Sequence, residues 1–297
     1  MIIIRLQGGL GNQMFQYAAA AALANQHKCK LLADISCLTQ TSCIKEGFTP
    51  RLYELGIFKN LNAFIASESI IQSFLKVPKK NKLLQKLGLL HEKKYEETTF
   101  TYNDDFFLLR PNVLVEGYFQ SEKYFSRIGE IIRQNFLFPD LQPDDLNITL
   151  LKQINSTSTV SVHVRRGDYL KDSLINAFHG TCNIEYYRKA FEYMKQQCSD
   201  VIFVFFSDDQ SWVKETFMQQ LSGSILVENN SESDNWKDMY LMSKCNHHII
   251  ANSSFSWWGA WLNNKADKIV IAPENWFADK EKNEQTHDNI PPSWIRL

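Results

Sequence analysis

The reading of the chain turns on Thr159-Val160-Ser161-Val162-His163-Val164-Arg165-Arg166-Gly167-Asp168. Val160, Val162 and Val164 alternate with Ser161, His163 and Arg165 at the two-residue period of a strand, and the strand then runs into a loop. In open α/β sheets, ligands bind beyond the carboxyl ends of the strands. A strand that ends there in His, two Arg and Asp points to an anion site. Arg presents a planar fork of donors that suits phosphate, and Gly167 permits a tight turn or close approach of backbone to ligand. The expected ligand is a diphosphate. The plainer alternative is a strand-end salt bridge from Arg166 to Asp168 or to another acid.

Downstream the same strand, loop, helix grammar repeats. Val201 to Phe206 is a continuous apolar run, as a parallel strand covered on both faces should be. It ends in Ser207-Asp208-Asp209, and a helix is expected over 211–221. His248 to Ala251 reads as another strand, leading into Asn252-Ser253-Ser254-Phe255-Ser256 and a helix from Trp257. Three β–α units therefore bring His163/Arg165/Arg166/Asp168, Ser207/Asp208/Asp209 and Ser253/Ser254/Ser256 to one rim of a parallel sheet. Arg can hold a diphosphate, a carboxylate can accept from the amide edge of guanine, and serine hydroxyls with helix-start amides can hold phosphate or ribose. Together these predict a nucleoside diphosphate site. Each piece also has a plainer use, because Asp208-Asp209 and the serine turn can cap the helices that follow them. Trp257, Trp258 and Trp261 read as core.

Upstream, residues 1–7 read as a buried strand. Gly8-Gly9-Leu10-Gly11-Asn12-Gln13 follows, then an alanine-rich helix to Asn25 and a second strand, Lys30 to Ile35, that includes Asp34. This partly matches a dinucleotide-binding fingerprint. Gly9-x-Gly11 is present, Met14 occupies the third glycine position, and Asp34 lies near the distance of a ribose-binding acid. An NAD-type oxidoreductase is thus the rival reading, with a non-catalytic glycan- or nucleotide-binding protein as a third. No chemistry is evident from Ser36 to Glu97. Residues 59–90 look helical, and Lys76, Lys79, Lys80, Lys82, Lys86, Lys93 and Lys94 form a basic segment. It reads as a solvated face, or as weak contact with an anionic membrane where a lipid-linked acceptor would sit. Asn112 to Glu116 is a third strand, and Ser121 to Phe136 reads as a helix capped by Ser121. The polar stretch Pro139 to Ser158 marks the domain boundary, giving domains 1–145 and 146–297.

At 297 residues the chain has room for about two domains, and 44% hydrophobic with 22% charged residues suits a cored globular protein. A net charge of -1 offers no overall electrostatic case for nucleic acid. The six cysteines contain no C-x-x-C pair, which argues against zinc ribbons and redox motifs; reduced thiols are expected. The amino terminus turns straight into a strand, and no apolar run approaches the ~20 residues of a membrane span, so a cytoplasmic location is expected. G-x-x-x-x-G-K-[ST] and G-x-S-x-G are absent, which excludes P-loop NTPases and hydrolase elbows. The D-x-D acid pair by which many sugar transferases hold a metal is absent too. His247 and His248 are adjacent and point to opposite faces of a strand, so they are no metal pair.

Gly8-Gly9-Leu10-Gly11-Asn12-Gln13-Met14-Phe15-Gln16-Tyr17, Gly117-Tyr118-Phe119-Gln120-Ser121-Glu122-Lys123-Tyr124-Phe125, His163-Val164-Arg165-Arg166-Gly167-Asp168-Tyr169, Phe206-Ser207-Asp208-Asp209 and Ser253-Ser254-Phe255-Ser256-Trp257-Trp258-Gly259-Ala260-Trp261-Leu262 resemble the bacterial α-1,2-fucosyltransferases. These motifs span nearly the whole chain, in order; the H-x-R-R-x-D loop is shared with α-1,6 and protein O-fucosyltransferases. The resemblance implies a GT-B architecture, an α/β fold of two Rossmann-like domains facing across a cleft. The second would bind GDP-β-L-fucose and the first a β-galactoside oligosaccharide. Fucose would pass to O2 of a terminal galactose with inversion and without a metal. Arg165 carries over as the main contact to the β-phosphate. His163 and Asp208 or Asp209 would help hold the guanosine beside Ser207. Ser253, Ser254, Phe255 and Ser256 would hold phosphate or ribose. Gly9, Gly11 and Asn12 would border the diphosphate and the reacting centre. Asp34, Glu116 and Asp168 stand as candidates for the general base, with Asn12 as a positioning group.

Overall fold

The computed structural model describes residues 1–39, 51–75, 93–143, 145–167, 178, 180–230 and 234–297. Asp168 lies outside the described residues, as do Lys76, Lys79, Lys80, Lys82 and Lys86 of the basic segment. The chain forms two α/β units. Unit 1 comprises Met1–Pro139 with His287–Asn289, and unit 2 comprises Asp140–Thr286 with Ile290–Leu297.

Among the described residues of unit 1, five parallel strands run in the order β3-β2-β1-β5-β4. They are β1 (Ile2–Arg5), β2 (Leu31–Asp34), β3 (Phe64–Ile65), β4 (Lys94–Glu96) and β5 (Val113–Glu116). α1 (Leu10–Gln26) follows the glycine turn and is buried along nearly its whole length, because alanines at 18–22 let it lie close to β1 and β2. On another part of the sheet Ile3 and Leu114 pack with Ile71 and Phe74 of α2 (Glu68–Leu75). The helix expected over 59–90 is thus α2 preceded by an edge strand, with residues 76–90 outside the described set. The helix expected over 121–136 is two 3-10 turns, Glu122–Tyr124 and Ser126–Ile128, followed by α3 (Gly129–Asn135). Ser121 caps the first turn through Lys123 N. The path breaks because Tyr124 and Phe125 turn inward, Phe125 against Phe15 and Tyr124 edge-on to Phe106 and Phe119.

In unit 2 the described strands are β6 (Thr159–Val164), β7 (Ile202–Ser207), β8 (Ile225–Leu226), β9 (His247–Ile249), β10 (Val270–Ala272) and β11 (Ile295–Arg296). They are all parallel, in the order β11-β10-β9-β6-β7-β8. The chain enters at the middle of the sheet, builds outward to β8, then returns to the other side of β6 to lay down β9. Among the described residues the helices are α4 (Asn147–Ser156), α5 (Ile184–Gln197), α6 (Gln210–Val213), α7 (Asn235–Lys244), α8 (Ser254–Leu262) and α9 (Lys280–Glu284). Val160, Val162 and Val164 pack with Tyr187, Phe191, Met194, Phe205 and Phe217, mostly from α5 and its surroundings. Val204 and Phe206 pack on the opposite face with Ile154 of α4, Leu241 and Met242 of α7, and Phe255 of α8. Every residue of β6 is buried, and each fully buried aliphatic side chain contributes roughly 1.5–3 kcal/mol relative to exposure. The helix expected over 211–221 is α6 continued by a π turn at Lys214–Met218, which brings Phe217 parallel to Phe205. Five of the six cysteines are described, and all five are free thiols. No helix among the described residues is long and apolar enough to cross a membrane.

Candidate active site

In unit 2 the strand order reverses between β6 and β9, the point at which an open α/β sheet leaves a crevice for ligand. The Arg loop leaves β6 on one side of it and the serine turn leaves β9 on the other. Val164 is in register with Ser207, so the residues after β6 meet those after β7. Asp208 is the knot. Its carboxylate accepts from Arg166 N at 2.9 Å and from Gly167 N, and its Oδ2 faces Arg165 Nε at 3.3 Å. Burial pushes this carboxyl up, but Arg165 and the two amides outweigh burial and hold it below the usual carboxylate range. A Cβ on Gly167 would stand 3.2 Å from Asp208 Cγ, so glycine is what lets the loop close on that carboxylate. Asp208 therefore sets the guanidinium of Arg165.

Asp209 behaves as the plainer alternative required. It caps α6 by accepting from Trp212 N, and its Oδ2 lies 3.6 Å from Arg166 Nε. Its own amide donates to Ser207 Oγ at 2.9 Å. The guanidinium carbon of Arg166 sits 3.9 Å from the centroid of the Trp212 ring, so this second arginine is stacked on unit 2 itself. Ser253 caps α8 through Phe255 N, and Ser256 Oγ donates to Ser253 O. Trp257, Trp258 and Trp261 are buried in the core, as read from the sequence.

His163 is buried against Phe255, and its Nδ1 makes no hydrogen bond. Burial first, then the charge of Arg165, lowers its pKa to about 3, so the ring is neutral near pH 7. The strand-end carbonyls are closed from α5. Tyr187 donates to His163 O, and Tyr186 to Ile250 O and Ile271 O. His248 is also neutral and structural. Its Nδ1 meets Ser161 Oγ at 2.8 Å, while Nε2 accepts from Asn263 Nδ2. His247 faces elsewhere, toward Cys198. Farther along the rim, Thr181, Asn183, Lys189, Asn252, Glu274 and Asn283 line a cavity of about 450 Å³. Asp238 on α7 was not singled out from the sequence. Burial pushes its carboxyl up to about 6 while it accepts from Asn230 Nδ2.

Unit 1 has its own reversal, between β1 and β5. Gly8 turns the chain with φ +74°, in the left-handed region glycine favours. Asn12, at the start of α1, accepts at Oδ1 from Gln120 Nε2 at 2.8 Å, so the glycine turn and the Gly117–Gln120 turn meet across the reversal. Two glutamines of the same motif are structural clips. Gln16 pairs with both backbone groups of Gln7. Gln13 donates to Gly8 O and Leu52 O and accepts from Glu54 N. Arg5, at the end of β1, reaches Asp34 Oδ2 at 2.9 Å and Glu116 Oε2 at 3.0 Å. Asp34 is fully buried and also accepts from Ser36 N; Glu116 is shared with Lys94. Two of the three base candidates are thus ion-paired to one arginine, and Asp34 has no path to a ribose.

Glu97, after β4, is a second carboxyl that the sequence did not mark. It accepts from the amides of Tyr118 and Phe119 and from Tyr124, yet burial outweighs these and pushes it up to about 7. The folded state then holds this proton more tightly than the unfolded chain. Its contribution to stability is complete below about pH 4.5 and is lost as pH rises through about 7. Melting temperature should therefore fall between those values in the native protein, and the Glu97→Gln variant should show a flatter profile; an unchanged slope would remove this assignment.

The model of glycosyl transferase family 11 matches residues 1–297. The chain belongs to that family. It is accordingly a glycosyltransferase, and the oxidoreductase and non-catalytic readings fall away. This family 11 enzyme is 34% identical to an alpha-1,2-colitosyltransferase of Escherichia coli over 311 residues, covering 100% of this chain and 99% of the relative. It is 35% identical to the O-antigen biosynthesis glycosyltransferase WbnK of Escherichia coli over 319 residues, covering 98% and 99%. A galactoside alpha-(1,2)-fucosyltransferase 1 of Lagothrix lagotricha is 27% identical over 199 residues, covering 63% of this chain and 53% of the relative. Among solved structures, the transferase resembles the NodZ alpha-1,6-fucosyltransferase soaked with GDP-fucose, at TM-score 0.47 and 15% identity, with 95% of this chain and 96% of that one covered.

Proposed function

We propose that the enzyme is a galactoside 2-α-L-fucosyltransferase, moving L-fucose from GDP-β-L-fucose to O2 of a terminal β-galactose with inversion. The observation that carries this reading is Arg165, held by Asp208 at the strand reversal of unit 2. A guanidinium there stabilises the charge that builds on a departing nucleoside diphosphate. The first-turn amides of α8 and the half-buried Ser254 suit the phosphates or ribose. The neutral ring of His163, with an unpartnered Nδ1, suits the guanosine. Unit 2 is then the donor domain and unit 1 the acceptor domain, with Gly9, Gly11 and Asn12 bordering the reacting centre. The relatives named for α-1,2 transfer and for galactoside fucosylation support the linkage and the acceptor.

The colitosyltransferase relative motivates a second donor reading. Colitose is fucose without the hydroxyl at C3, so the two donors share every feature of the nucleotide site. Incubating the protein with lactose and either GDP-fucose or GDP-colitose, with product read by mass, tests both. A fucosylated product supports the proposal, transfer of colitose alone moves it to the second reading, and no product with any β-galactoside overturns it. No cluster of His, Cys, Asp or Glu that could hold a metal ion occurs among the described residues. Transfer is expected to persist in EDTA; full loss restored by a divalent ion would contradict the metal-free reading.

A further inference from the structure

Glu97 follows β4. Its amide donates to Glu116 O at 2.8 Å, so the strand ladder sets it beside the turn that leaves β5. Its Oε2 accepts from Tyr118 N at 2.6 Å and from Phe119 N at 3.0 Å, and the carboxyl also meets Tyr124. Gly117 permits this approach: a Cβ there would overlap Glu97 Cβ and stand 2.9 Å from its Oε2. The turn needs such a grip. Phe119 has φ +51°, in the left-handed region that a bulky side chain disfavours. Its ring is fully buried against Tyr95, Phe106 and Tyr124. Two successive amides aimed at one carboxylate oxygen hold that conformation.

The next residue carries the grip across the strand reversal. Gln120 Nε2 donates to Asn12 Oδ1 at 2.8 Å. With Oδ1 taken, the Asn12 carboxamide offers Nδ2 as a donor. That nitrogen stands over Gly8, 2.6 Å from where a Cβ would be. Asn12 is only half-buried. An oriented, partly exposed carboxamide at the reversal of a parallel sheet suits the hydroxyl oxygen of a neutral sugar. Every link from Glu97 to Asn12 lies inside unit 1.

We propose that Glu97 is a positioning residue for the acceptor sugar: through the 117–120 turn and Gln120 it sets the Asn12 carboxamide, which donates to an acceptor hydroxyl. This rests on the function proposed above, in which unit 1 is the acceptor domain. Asn12 makes the sugar contact. Glu97 touches no substrate and acts only through the conformation of the turn.

The test is steady-state transfer to lactose from GDP-fucose or GDP-colitose, whichever the native enzyme uses, with GDP binding and a melting curve measured on each variant. Glu97→Ala should lower acceptor kcat/KM by about 10–100-fold, between the loss of one hydrogen bond and a displaced acceptor hydroxyl, while GDP binding stays as in the native enzyme. Glu97→Gln should recover most of that loss, because its carbonyl accepts from the same two amides. Asn12→Ala should lower acceptor kcat/KM by itself, and adding Glu97→Ala to it should cost little more, since residues that act through one contact are not additive. Losses that multiply in the double variant overturn the proposal, as does native-like acceptor kcat/KM in Glu97→Ala or an equal fall in its GDP affinity. If Glu97→Ala does not fold, Gln120→Ala decides, because it cuts the same chain of contacts without touching the carboxylate. A fall that is masked in the Asn12→Ala background supports the role; a native-like value or a multiplied loss overturns it. Absence of transfer by the native enzyme from either GDP-sugar is a separate result, which sinks the functional reading before any variant is made.

Discussion

Replacing Arg165 by alanine is expected to lower kcat by at least about a hundredfold, roughly 2.7 kcal/mol of transition-state stabilisation. The loss belongs to kcat because charge on the leaving diphosphate is greatest when the bond to the sugar has lengthened, and an interaction that strengthens there speeds the chemical step. Folding should survive, since Asp208 keeps the amides of Arg166 and Gly167 after the guanidinium is gone. Arg165→Lys should not restore the rate. The arginine is aimed by the contact of its Nε edge with Asp208, and a lysine has no second edge to offer the phosphate in the same pose. The measurement is kcat at saturating donor and acceptor, with GDP affinity and melting temperature as controls. Native-like turnover in either variant would remove the role given to Arg165, and with it the observation that carries the proposed function.

Much of this was legible in the chain, for physical reasons that can be named. β6 and β7 were readable because central parallel strands are buried on both faces and appear as valine- and phenylalanine-rich runs. β3, β4 and β11 were not, because edge strands of two or three residues carry no such run; Lys94–Glu96 even reads as surface. The Arg loop announced itself through charge at a strand end. What Asp208 does was hidden, because it depends on the pairing of Val164 with Ser207 and only that register brings the carboxylate to the loop amides. Gln13 and Glu54 were hidden for the same kind of reason. Their contact spans 41 residues, and nothing periodic around Glu54 marks it. Local chemistry shows in a sequence; a role assigned by a distant partner does not.

That distinction also governs Asp34, which the sequence offered both as a ribose-binding acid and as a base. Asp34→Ala should act on stability. It leaves Arg5, itself buried, without its shortest partner, and breaking a buried pair by removing one member costs about 3–5 kcal/mol. With about 2–4 °C lost per kcal/mol in a domain of this size, the first unit should melt roughly 10 °C lower. Burial alone would weaken the Arg5 cation; the carboxylates of Asp34 and Glu116 more than offset it and raise its pKa. Replacing the whole pair, Arg5→Leu with Asp34→Leu, should recover much of the loss, since two apolar side chains remove the uncompensated charge and Glu116 keeps Lys94. The kinetic corollary separates structure from chemistry. Well below its melting transition, folded Asp34→Ala protein should turn over at close to the native rate. A large fall in kcat with an unchanged melting temperature would instead return Asp34 to the list of bases.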